Sequence, residues 1–92
     1  MEIELRLFAT VREAVGERTK TCEFASGTTV RDVLSAMEAA HPTLADRLLD
    51  GGKLSRSITV LRNGTNVTHF EGAATELRDG DRLSITPPVT GG

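Results

Sequence analysis

From Glu2 to Thr10 the chain alternates, with Ile3, Leu5 and Leu7 on one parity and Glu2, Glu4, Arg6 and Phe8 on the other. That two-residue period belongs to a half-buried strand, so a first strand is expected over residues 2–10. A polar stretch at residues 13–17, with Gly16 inside it, reads as a connection into residues 18–24, where Cys22 and Phe24 share the inner parity. Two such runs joined by a short link pair most economically as antiparallel neighbours. The period then changes. Val30, Val33, Leu34, Met37 and Ala40 recur at helical spacing while Arg31, Asp32, Ser35 and Glu38 take the other side, which predicts an amphipathic helix with one apolar stripe. Thr29 and Asp32 have the spacing of a capping box at its start, and His41-Pro42 closes it because a residue before proline avoids the helical region.

Leu44, Leu48 and Leu49, closed by Asp50-Gly51-Gly52, suggest a second short helical turn, after which the pattern returns to sheet. Residues 57–62 read as a third strand, Asn63-Gly64 as a tight hairpin turn, and residues 65–70 as a short return strand. Asp79-Gly80-Asp81 supplies a turn into a last strand over residues 82–86, with Leu83 and Ile85 inward. The order strand, strand, helix, strand, short strand, strand builds an α+β arrangement in which a mixed sheet packs on one main helix. It looks like the β-grasp, or ubiquitin-like, fold, with a domain over residues 1–86 and an extended tail over residues 87–92.

The 92 residues make one domain, and 38% hydrophobic with 26% charged residues is a globular balance. Glu2 and Glu4 stand where a signal peptide would be basic, and no apolar run approaches the ~20 residues of a membrane span, so a cytoplasmic monomer is expected. A net charge of −2 with interspersed signs, and three phenylalanines as the only aromatics, argue against a nucleic-acid surface. The single cysteine, Cys22, has no partner for a disulfide, and Cys and His lack zinc-type spacing, so no metal is expected. His41 reads as a helix-terminal residue, and His69 has no nucleophile at a recognisable spacing. No internal catalytic constellation is visible, and the chain does not read as an enzyme.

The sequence closes with Pro87-Pro88-Val89-Thr90-Gly91-Gly92. Proline fixes φ and favours an extended path, so Pro87-Pro88 would project the chain end away from the body. Two glycines then remove every side chain near the terminal carboxylate. A carboxylate that must thread into a narrow ATP-containing pocket needs this, because side chains there would collide with the walls or restrict φ. The tail therefore reads as that of a protein co-substrate, adenylated at Gly92 by another enzyme.

Several short pieces, in order and over essentially the whole chain, carry a likeness. They are Leu7-Phe8-Ala9, Val11-Arg12-Glu13 and Gly16 near the start, Val60-Leu61-Arg62-Asn63-Gly64 in the middle, then Asp79-Gly80-Asp81 and the tail Pro87-Pro88-Val89-Thr90-Gly91-Gly92. Together they resemble the small archaeal modifier proteins and the small subunit of molybdopterin synthase, relatives of ubiquitin and of the sulfur carrier in thiamine synthesis. The resemblance implies that an activating enzyme uses ATP and magnesium to adenylate Gly92, with no cofactor held by the chain itself. Such families show two outcomes: an isopeptide bond to a lysine of a target protein, or a C-terminal thiocarboxylate that donates sulfur for molybdopterin or tRNA thiolation. The modifier outcome leads, the sulfur carrier is its rival, and a non-covalent interaction module with an inert tail is the third reading.

Phe8 is the odd apolar member of the outward parity of the first strand, and Leu61 falls on the outward parity of the third. The two are expected to form one small docking patch across neighbouring strands. In the resembling synthase subunit a phenylalanine matching Phe8 contributes to the surface that meets the large subunit, with a second aromatic just before the two prolines. Here that second position is Thr86, a departure that weighs towards general recognition of an activating enzyme. Lys20 and Lys53, the only lysines, are the candidate acceptors for chain formation.

Overall fold

A computed structural model describes residues 1–88. The first alternating run forms β1, Glu2–Leu7, with Ile3, Leu5 and Leu7 buried. It stops earlier than expected, because the next residues belong to a helix, α1, Ala9–Val15, instead of a polar connection. Val11, Ala14 and Val15 stand three and four positions apart, enough for an apolar stripe on a short helix, and Val11 is buried. Gly16, at φ 88°, ends α1 in the left-handed conformation, and its N–H donates to the Arg12 carbonyl at 2.7 Å. The chain then forms β2, Thr19–Glu23, antiparallel to β1 with Ile3 opposite Cys22 and Leu5 opposite Lys20. Cys22 and Phe24 both pack, half-buried, against the core.

The main helix, α2, spans Val30–Ala40. Its capping box is complete: the Asp32 carboxylate accepts the Thr29 N–H at 2.9 Å and the Asp32 N–H donates to the Thr29 hydroxyl at 3.3 Å. Val30, Val33, Leu34 and Met37 are buried, whereas Ala40 is exposed, so the apolar stripe ends one position before the periodicity predicts. His41 is the C-cap residue, donating its N–H to the Met37 carbonyl at 2.9 Å.

The segment after α2 departs from the second helical turn expected around Leu44, Leu48 and Leu49. A 3-10 turn covers only Pro42–Leu44, and a two-stranded ribbon comes next, β3 Leu49–Asp50 against β4 Lys53–Leu54. Gly51 and Gly52 both adopt positive φ, 59° and 82°, so Asp50-Gly51-Gly52 turns a hairpin where it was expected to end a helix. The Glu38 carboxylate on α2 accepts the N–H groups of Leu48 and Leu49 at 3.0 and 3.1 Å. Those donors are satisfied by a side chain and need no helix of their own.

The third long strand, β5, is Thr59–Arg62 and begins two residues later than expected. Asn63 and Gly64, at φ 49° and 88°, make the tight turn into β6, which is only Thr65–Asn66. The return strand is short because the Asn66 side chain accepts the Thr68 N–H at 3.0 Å and starts a 3-10 turn over Val67–His69. A further 3-10 turn at Gly72–Ala74 precedes β7, Arg82–Thr86.

The five-stranded sheet runs β2-β1-β7-β5-β6. β7 lies parallel to β1 and antiparallel to β5, so the first and last strands are central neighbours. Ile3, Leu5, Leu7, Val60, Leu83 and Ile85 face the buried stripe of α2 and share one core with it. Among the described residues no helix is long and apolar enough to cross a membrane.

Leu34 is fully buried in that single core. Leu34→Ala is expected to destabilise the protein by roughly 2–5 kcal/mol, a large part of a small domain's margin. Urea or thermal unfolding measures this, and an unchanged transition would mean that α2 does not pack on the sheet.

Candidate functional site

The end of β7 is where the chain leaves the sheet, and the residues around it come from three strands. Inward, Leu5 lies beside Leu83, Leu7 beside Ile85, and Ile85 opposite Val60, which locks β7 by burial on one face. Outward, Arg6 lies beside Ser84, and Ser84 opposite Leu61. The Phe8 N–H donates to the Ile85 carbonyl at 3.2 Å, extending the parallel ladder one residue past β1 and setting Phe8 alongside Thr86. Phe8 is 43% exposed and Leu61 is half-buried. They do not sit on neighbouring strands as expected. β7 runs between them, so two strand spacings, about 10 Å, separate them across the sheet.

Thr86 Oγ1 lies 3.2 Å from the carbonyl oxygens of both Thr59 and Pro87, within donating reach of either. Its hydroxyl therefore serves the backbone at the position that departs from the resembling pattern. Pro87 and Pro88 are exposed, and Pro88 borders a shallow groove with Arg56, Ile58 and Thr68. Thr90, Gly91 and Gly92 lie outside the described residues. Lys20 and Lys53 are exposed, one on the edge strand β2 and the other on β4, and neither belongs to the Phe8–Leu61 surface. Among the described residues no cluster of His, Cys, Asp and Glu is arranged to hold a metal ion.

The start of β7 is fixed by a group that the alternation pattern did not single out. Asp81, read only as part of a turn, is buried and accepts hydrogen bonds from Arg62 Nε at 2.8 Å, Asn63 Nδ2 at 2.9 Å and the Arg78 N–H at 2.8 Å. Asn63 returns the contact to β7: its side-chain oxygen accepts the Arg82 N–H at 2.9 Å and its own N–H donates to the Arg82 carbonyl at 2.8 Å. The Arg62 guanidinium also lies over the exposed Phe70 ring, 5.3 Å from its centroid. Burial alone would push the Asp81 carboxyl up. The hydrogen bonds from Arg62, the Arg78 N–H and Asn63 outweigh it and hold the group below the usual aspartate range. Asp32 is likewise held low, by the Thr29 N–H and then the Thr29 side chain. The signal for the Asp81 network was the Asp79-Gly80-Asp81 turn itself, but its partner Arg62 lies 19 residues upstream, beyond any local pattern.

A mixed sheet with parallel central strands, one main helix in its grip and a last strand delivering the tail from mid-sheet define a ubiquitin-like β-grasp protein. The family model described as the ThiS family matches residues 5–92, and the chain belongs to that family. It is 47% identical over 92 residues to small archaeal modifier protein 3 of Haloferax volcanii, covering 100% of both chains. It is 32% identical over 92 residues to the molybdopterin synthase sulfur carrier subunit of Chlamydomonas reinhardtii, again covering 100% of both. The crystal structure of SAMP1 from Haloferax volcanii superposes with a TM-score of 0.79 at 36% identity, covering 100% of each chain.

The lowered Asp81 carboxyl makes stability depend on pH in one direction. The unfolded chain binds this proton more tightly than the folded one, so the contribution is fully present above about pH 5. It is lost as pH falls through the ordinary aspartate value, about 3.9, towards the lower folded value. Asp81→Asn is expected to cost roughly 1–3 kcal/mol at neutral pH, with the gap to the parent narrowing below about pH 4. Urea midpoints measured from pH 7 to pH 3 check this, and a gap that does not narrow would contradict it.

Proposed function

We propose that this protein is a ubiquitin-like modifier, a co-substrate whose Gly92 carboxylate is adenylated by an activating enzyme and then joined to lysines of target proteins. The observation that carries the reading is the exit of β7 beside Phe8, leading through Pro87-Pro88 towards Gly91-Gly92. In the activation step a Gly92 carboxylate oxygen attacks the α-phosphorus of ATP and pyrophosphate leaves, with magnesium neutralising the phosphate charge. A lysine amine then attacks the acyl carbon, AMP departs and the amine gives up a proton, leaving an isopeptide bond. The chain's own part is positional. It presents a carboxylate without neighbouring side chains, on a tail anchored by a strand that the core and the Asp81 network hold in place. Phe8 and Leu61, flanking β7, are the surface by which the activating enzyme recognises the body while its pocket takes the tail. Lys20 and Lys53 are the chain's own candidate acceptors.

Sulfur carriage is the second reading, favoured by the ThiS family match and by likeness to a molybdopterin synthase sulfur carrier subunit. The adenylate is the same; hydrosulfide takes the place of the amine, its sulfur bonds the acyl carbon as AMP leaves and its proton is given up, and a thiocarboxylate results. A molybdopterin synthase large subunit is then the partner that meets the Phe8 surface.

Among the described residues Ile85 is the last buried one, so deleting Gly91 and Gly92 is expected to change stability by less than about 0.5 kcal/mol. Lysine-linked adducts and thiocarboxylate should both disappear from epitope-tagged protein expressed in its host. Persistence of every adduct would mean that attachment does not use Gly92. Phe8→Ala should keep the fold but slow ATP–pyrophosphate exchange, with a loss above about 1 kcal/mol in recognition. Equal exchange by parent and variant would remove Phe8 from the docking surface.

A further inference from the structure

The groove bordered by Pro88 lies where the chain leaves the sheet. Thr59 is two positions before Leu61 on β5, and Asn66 on β6 is paired with Leu61, so both share the outward parity and the groove opens on the outer face. Half-buried Leu54 and Ile58 give it an apolar side, and Asn66 and Thr68 a polar one. Its volume of about 450 Å³ falls in the range of sites that hold a small ligand. Arg56 is the only charged residue in its lining. No Asp or Glu occurs between Gly51 and Phe70, and Asp50, the acid that precedes this stretch, stands opposite Lys53 in the ribbon. Among the described residues Arg56 is exposed and has neither an ion-pair partner nor a side-chain hydrogen bond. Arg62, the next arginine along the chain, is by contrast held by Asp81.

The occupant that complements this groove is the chain's own end. Thr86, opposite Thr59, is the last residue of β7 paired with β5, and Pro87 and Pro88 have no N–H with which to continue that ladder. Pro88 already borders the groove. Four residues, 89–92, follow it outside the described residues, and four extended residues span up to about 14 Å. From β7 across β5 to β6 is two strand spacings, about 10 Å, so this segment is long enough to cross the groove. Val89-Thr90-Gly91-Gly92 brings one apolar side chain next to Pro88 and a negative charge at its end, the complement of Leu54 and Ile58 at one point and of Arg56 at another. The tail of a second copy has the same composition, but tethering at Pro88 gives the chain's own tail a far higher effective concentration.

We infer that this groove is a resting site for the chain's own residues 89–92, with Val89 against Leu54 and Ile58 and the Gly92 carboxylate paired with the Arg56 guanidinium. The inference takes from the proposed function only the free carboxylate of Gly92, not its adenylation. A docked carboxylate has to leave Arg56 before an activating enzyme can take it, so the docked fraction lowers the apparent affinity of that step. An isopeptide bond turns the carboxylate into a neutral amide and removes the partner of Arg56, whereas a thiocarboxylate keeps the negative charge. The groove is therefore covered in the free or sulfur-bearing chain and open in the conjugated one.

Methyl and amide spectra of the isotope-labelled full chain test this. Cross-relaxation between the Val89 and Ile58 methyl groups is expected, independent of protein concentration. Converting the Gly92 carboxylate to a carboxamide, or Arg56→Gln, should weaken that cross-peak about twofold or more, the effect of losing an exposed ion pair, and should move the Thr59 and Thr68 amides in a common direction. Arg56 is exposed, so the rest of the spectrum should keep its dispersion. Arg56→Lys, which keeps the charge, should retain most of the cross-peak, and Arg82→Gln, at the far end of β7, should leave it unchanged. Absence of the cross-peak, or equal cross-peaks in the parent, the carboxamide and Arg56→Gln, would overturn the inference. So would a cross-peak that grows with protein concentration, which would assign the groove to the tail of a second copy. No activating enzyme enters the measurement, so adenylation of Gly92 stands or falls separately, by the adduct assay.

Discussion

The parallel pairing of β1 with β7 is the constraint on which the rest of the structure depends. It joins the beginning of the chain to its last strand at the centre of the sheet, with Leu5 beside Leu83 and Leu7 beside Ile85 under α2. Parallel neighbours cannot be joined by a tight turn, so the intervening chain must cross over, and α2 is the crossover that covers the shared face. A tail leaving from such a strand starts from one of the most constrained positions in the molecule. Were β7 an edge strand, its end would fray with the sheet margin and the direction of the exit would be less defined.

The same constraint explains why a buried charge is found at the other end of β7. The chain must enter the sheet centre directly from a turn, and the turn's backbone donors need partners where water is scarce. Asp81 accepts from the Arg78 N–H and at the same time from Arg62 and Asn63 on the neighbouring hairpin. One carboxylate thereby fastens the turn before β7 to the turn after β5. Asp79 adds a second tie to β1, accepting the Glu2 N–H at 2.7 Å. The entrance to β7 is held by polar contacts, its middle by burial, and its end by the Phe8 N–H and the Thr86 hydroxyl.

Where side-chain parity alone decided the structure, the sequence was legible. Ile3-Leu5-Leu7, the stripe from Val30 to Met37, the Thr29–Asp32 box, the Asn63-Gly64 turn and Leu83-Ile85 each carry their period or cap in a few adjacent residues. Alternation tells which face a residue takes but not which strand lies next to it. That is why Phe8 and Leu61 were expected as neighbours although β7 separates them. α1 was hidden because seven residues with Val11, Ala14 and Val15 make a faint stripe among polar positions. The ribbon at Leu49–Leu54 was hidden because the Glu38 side chain, eleven residues before Leu49, satisfies the backbone N–H at its start. Of the candidate site, the exposed prolines and Phe8 stand at the end of β7, while Thr90, Gly91 and Gly92 lie outside the described residues.

The central claim is that the chain works through the carboxylate of Gly92, and mass spectrometry of the protein recovered from its own host tests it most directly. No Lys or Arg comes after Arg82, so trypsin would leave residues 83–92 as a branch on any target lysine. The account predicts such branched peptides, or an intact chain heavier by the difference between sulfur and oxygen where sulfur is carried. A chain found only with an unmodified carboxylate, free of both products while its activating enzyme is present, would contradict it.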